Sequence, residues 1–111
     1  MTKADLLAGL AARPVPFAVA GLDVLLRPLR FGDRRELLNW FAGNRDAPGL
    51  GLAIQRRYVT MAVSDAAGGL LLADADIDAL DASVVMAIAD EVARRNGLDG
   101  DPKATSPGTA S

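Results

Sequence analysis

Residues 50–63, LGLAIQRRYVTMAV, constrain this chain more than any other stretch, because their apolar side chains cover more than one side of a helix. Leu50, Ile54, Tyr58, Met61 and Ala62 recur at helical spacing, and Leu52, Val59 and Val63 fall on an adjacent stripe. That arc is wider than a one-sided surface helix needs. Its neighbours must cover it, which predicts the central helix of a small domain. With 111 residues, half of them hydrophobic, a single domain can bury such a helix without disulfide or metal staples.

The covering elements follow in chain order. Thr2 with Asp5 reads as a capping box for a short helix reaching about Ala12, with Leu6, Leu7 and Leu10 on one face, and Pro14 and Pro16 end it. Residues 17–20 and 24–29 read as a β-hairpin reversing near Gly21. Pro28 cannot donate to a ladder, so the second strand reads as an edge whose Arg27 and Arg30 face water. Asp33 reads as the N-cap of the next helix, with Glu36 three residues on, and Leu37, Leu38 and Phe41 make its buried face. A loop over 45–49 leads into the central helix. The turn SDAAGG precedes Leu70, Leu71 and Leu72, an extended piece under the hairpin. Asp74 caps a short helix. Asp81 or Ser83 caps the last one, whose stripe is Val84, Val85, Ile88, Ala89 and Val92, with Asp90–Arg94 and Glu91–Arg95 pairs four apart. Asn96-Gly97-Leu98 reads as a glycine stop with a trailing apolar contact. The fold class is therefore α+β: a small, mostly helical domain over residues 1–98 with an N-terminal β-hairpin packed on about four helices. Residues 99–111, DGDPKATSPGTAS, read as a disordered tail.

Composition removes whole classes of chemistry. The chain has no His and no Cys, which excludes thiol nucleophiles, histidine bases, Ser-His-Asp triads and the usual zinc ligand sets. The opening MTKADLLAGLAARPVPF is too brief and too charged in its apolar run for a secretory or membrane segment, which predicts a cytoplasmic protein. Charge is uneven: residues 27–57 carry seven Arg against Asp33, Glu36 and Asp46, whereas 64–101 carry nine acidic residues against Arg94 and Arg95. Such polarity pairs either the halves of one chain or one copy with the next.

No motif adds an active site. Asp74, Asp76 and Asp78 have the first spacings of a calcium loop, but Ala79 stands where its glycine belongs and Val85 where its bidentate Glu belongs; acidic residues opening a helix explain them. Gly49 and Gly51 lack the rest of a phosphate-binding fingerprint. The remaining carboxylates sit at caps or solvent faces. No catalytic, cofactor or metal residue is assigned. The candidates for protein interaction are Arg34, Arg35, Trp40, Arg56 and Arg57, with Arg56 and Arg57 placed on the least covered side of the central helix. Those four arginines also permit a small nucleic-acid-binding or regulatory module, although two Lys and an acidic total charge disfavour strong phosphate binding.

The order of VLLRPLRFGDRRELLNW, AIQRRYVTMAVSD, DAAGGLLL, DADIDAL and VVMAIADEVARRNGL, from about residue 15 to 98, resembles the tail assembly chaperones of long-tailed bacteriophages and prophage elements. The resemblance implies a non-enzymatic protein that self-associates, keeps the tape measure protein soluble during tail assembly in the host cytoplasm, and is absent from the mature virion. It defines no binding residues sharply. Another phage structural adaptor, such as a head–tail connector, stays open beside it.

Overall fold

The stretch predicted to be central is central. In the computed structural model, which describes residues 1–11 and 13–98, it forms α3 (Leu50–Ala62). Its Tyr58, Val59, Met61 and Ala62 are buried, and Val59 and Ala62 have no solvent exposure at all. The covering helix is α5 (Ala82–Arg95), which packs directly on α3 and buries Ile88, Ala89, Val92 and Ala93 at positions i, i+1, i+4 and i+5. Val84 and Val85, one turn earlier, are half-buried against the same core. Each fully buried Val, Ile or Met side chain contributes about 1.5–3 kcal/mol and each Ala less, so this helix pair is the main source of the domain's stability.

Before them lie α1 (Lys3–Leu10), β1 (Val15–Val19), β2 (Leu22–Leu26) and α2 (Phe31–Asn44); α4 (Asp74–Ile77) separates α3 from α5. The protein is α+β, a two-stranded antiparallel hairpin with five helices among the described residues. Phe17 pairs with Val24, and the reversal is two residues long, Ala20-Gly21, both at positive φ. This is the left-handed geometry that matches the twist of the flanking strands and that glycine adopts without a Cβ penalty.

The second strand ends at Leu26, earlier than the predicted 29, because its partner β1 begins opposite at Val15 and Pro28 follows; at that end its far side is paired. Arg27 N–H donates to the Ala62 carbonyl at 2.8 Å and Ser64 N–H to the Leu25 carbonyl at 3.0 Å, so the chain leaving α3 closes the end of β2. Arg27 consequently does not face water: it is 7% exposed. Its Nε donates to the Met61 carbonyl at 2.9 Å and its guanidinium meets Asp33, which is what allows a charge to be buried. Arg30 is exposed as expected. Leu70 bridges to Ser64 and Leu71 N–H donates to the Val63 carbonyl. Leu70 and Leu71 thus extend the pairing beside residues 63–64, and Leu72 is half-buried against the core.

At α2 and α4 the predicted carboxylates take other roles, whereas those of α1 and α5 cap as predicted. Asp33 is the third residue of α2, not its cap, and accepts from Arg30 N–H at 2.8 Å; Glu36 is exposed. Asp76, rather than Asp74, secures α4 by accepting from Ala73 N–H at 2.8 Å. Asp81 is the N-cap of α5, accepting from Ser83 N–H. The Thr2–Asp5 capping box is present, but α1 ends at Leu10 and buries none of its residues. At the other end, Gly97 takes positive φ and Leu98 N–H returns to the Ala93 carbonyl at 2.7 Å, placing Leu98 against the core. The predicted tail over 99–111 lies outside the described residues. Among those described, no helix is long and apolar enough to cross a membrane.

Candidate functional site

Helix α2 carries apolar residues on two sides. Leu37 is buried at 3% exposure, and Trp40 and Phe41 pack against the core. Phe31 and Leu38, seven residues apart, lie on one face of the helix, and they are 85% and 68% exposed. The predicted buried face therefore holds for Leu37 and Phe41 but not for Leu38. Arg34 and Arg35 stand between Phe31 and Leu38 on that same outward face. These four, with Leu37, Asn39, Phe41 and Leu98, line an open groove of about 420 Å³.

A second hollow, of about 800 Å³, lies between α1 and the segment that follows β2. Its apolar lining includes Leu7, Leu10, Leu29 and Phe31, and its charged lining is Arg13, Arg27 and Arg30. Phe31 borders both hollows. Sequence reasoning missed Phe31, and its signal was there to use: a Phe and a Leu seven apart with two Arg between them mark a helix face that is neither purely core nor purely solvent.

The five predicted interaction residues do not form one patch. Arg34 and Arg35 line the α2 groove, and Arg34 also donates to the Asn96 carbonyl. Trp40 is half-buried, its ring 5.3 Å from that of Phe41 and tilted by 54°. Arg57 lies over Trp40, 4.6 Å from the ring centroid, close enough for a cation–π contact. Arg56 pairs with Asp78 and donates to the Asp74 carbonyl at 2.6 Å. The Asp78 carboxylate holds the Arg56 guanidinium above its usual pKa, chiefly through its hydrogen bond. Both central-helix arginines are thus half-covered, one by α2 and one by the end of α4, while the open side of α3 is marked by Leu52 at 74% exposure. The Arg56–Asp78 pair also joins the basic and acidic halves within one chain.

Several other carboxylates have structural partners. Glu91 accepts from Arg94 and Arg95, and those hydrogen bonds pull its carboxyl down from 4.5 to about 2. Hydrogen bonds from Ser83 lower Asp81, and those from Thr2 lower Asp5. Burial raises the Tyr58 phenol, opposed by the charge of Arg34. Among the described residues no three metal-ligating side chains cluster. What this surface offers chemically is an apolar floor with cationic edges. No protein-family model matches the chain, and comparison with curated proteins and with solved structures gives no match.

Proposed function

We propose that this chain is a non-enzymatic tail assembly chaperone of the long-tailed bacteriophage type, which associates with itself and with the tape measure protein in the host cytoplasm and leaves before the virion is complete. The observation that carries the reading is the apolar surface left open by the fold: Leu6, Leu7 and Leu10 on α1, Phe31 and Leu38 on α2, and Leu52 on α3 are all exposed. Of these, Leu7, Leu10, Phe31 and Leu38 line adjoining hollows, and contiguous apolar surface rimmed by polar groups marks interaction sites. A protein that shields a long helical partner until it is packaged needs such surface.

The reading requires a long, helix-rich reading frame next to this one, and the test is co-expression of the chain with its product; the absence of such a frame refutes the reading. The expected result is that the partner stays soluble and co-purifies with the chain, which is then missing from purified virions by mass analysis. A chain that stays monomeric at high micromolar concentration and leaves the partner insoluble refutes the reading. Persistence in finished particles points to a structural adaptor.

A further inference from the structure

The two hollows that meet at Phe31 share a charge pattern. Arg13, Arg27 and Arg30 line one and Arg34 and Arg35 the other, and no Asp or Glu lines either. Arg27 is committed to Asp33. The other four are exposed, and none forms an ion pair with a carboxylate among the described residues. Arg34 donates to the Asn96 carbonyl but keeps its charge uncompensated, and an apolar floor with cations free of carboxylate partners along its edge is complementary to a segment that is apolar on one side and acidic on its flanks.

We propose that this trough binds an amphipathic helix of a partner protein, with apolar side chains against Phe31 and Leu38 and flanking Glu or Asp side chains against Arg30, Arg34 and Arg35. From Phe31 to Phe41 the floor runs ten residues of α2, about 15 Å, which matches about three turns of a docked helix. A helix laid in a groove reads as anchors at i, i+3, i+4 and i+7, the spacing at which α2 itself presents Phe31, Arg34, Arg35 and Leu38. Strand addition is disfavoured at β1, whose Val15 and Pro16 carbonyls accept from Arg95. The chain's own residues 99–111 contain no Leu, Ile, Val, Met or aromatic side chain with which to fill the floor. The apolar contacts supply affinity and the arginines select the partner. This rests on the chaperone reading only in treating the chain as a binding module.

The experiment uses the full chain and a labelled peptide of about 18 residues, long enough to form a helix, with Leu at the four anchor spacings and Glu and Gln elsewhere. A twin peptide carries Lys for each Glu. Fluorescence anisotropy is expected to show the acidic peptide binding at least tenfold tighter than its twin. Phe31→Ser and Leu38→Ser each weaken it about tenfold without moving the unfolding midpoint, since both side chains are exposed. The pair Arg34→Glu and Arg35→Glu inverts the preference between the peptides. Equal binding of the twins overturns the proposal, as does binding that ignores Phe31 and Leu38. A dimer that dissociates on Phe31→Ser while the peptide fails to compete assigns the trough to a second copy and also overturns it. So does retention of duplex DNA through Arg34 and Arg35 in preference to the peptide. Peptide binding without rescue of the tape measure protein removes the chaperone reading alone. Rescue that survives Phe31→Ser and Leu38→Ser removes the trough alone.

Discussion

The guanidinium of Arg27 lies 3.2 Å from the carboxylate of Asp33, with the two side chains 8% and 18% exposed. The same arginine reaches the Met61 carbonyl, and the same carboxylate secures the start of α2 through Arg30 N–H. One pair thus fastens the end of β2 to the first turn of α2 and the last turn of α3. Removing either member strands the other's charge, and the stranding costs more for Arg27, 8% exposed, than for Asp33, 18% exposed. Asp33→Ala is expected to cost about 3 kcal/mol and Arg27→Met about 1–2 kcal/mol. The double variant should cost less than the sum, because the stranded charge is gone. Urea midpoints at unchanged slope measure all three.

Ala20 occupies the first turn position at φ 51°, a conformation in which a Cβ is penalised. A two-residue hairpin of this geometry favours Asn followed by Gly, and Gly21 already fills the second place. Ala20→Asn should stabilise the protein by about 0.5–1 kcal/mol, seen as a raised thermal midpoint with an unaltered circular dichroism spectrum. No gain in the midpoint would mean that the turn is relaxed by other means.

Glu91 ties Arg94 and Arg95 to α5, and its folded carboxyl titrates near 2 instead of 4.5. Its ion pairs therefore stabilise the fold above about pH 4.5, and that contribution is lost as pH falls towards 2. The pairs lie near the surface, so the effect is modest. Glu91→Gln is expected to be less stable than the parent at pH 7, with the difference shrinking between pH 4.5 and 2 and gone below that range. A difference that stays constant through acid would assign it to packing instead of charge.

The core was the most legible part of this sequence because it rests on period alone: the stripes of α3 and α5 are spaced to meet whatever lies between them. Arg27 was not legible. Its burial depends on a carbonyl 34 residues away, and nothing local distinguishes it from Arg30. The helix starts were half legible, since an Asp near a helix N-terminus satisfies backbone donors equally well from the cap or from the third residue, and only the backbone decides which. The candidate surface followed the same logic. Arg34 and Arg35 stood out as charges, but Leu38 merged with Leu37 into a single apolar face because adjacent residues on a helix look alike until it is known which side the core occupies.

That ambiguity gives the sharpest contrast available on α2. Leu37 and Leu38 are chemically identical neighbours about 100° apart around the helix, one 3% and the other 68% exposed. Leu37→Ala opens a cavity beside the core and is expected to cost about 3 kcal/mol. Leu38→Ala empties only solvent-facing volume and should stay within about 0.5 kcal/mol of the parent. The order reverses for binding, where Leu38→Ala should weaken the acidic peptide more than Leu37→Ala, whose side chain borders the groove but is 3% exposed, provided that variant is measured below its lowered unfolding midpoint. Equal destabilisation by the two variants would mean that Leu38 is covered in solution, and that the outward face of α2 is already occupied before any partner arrives.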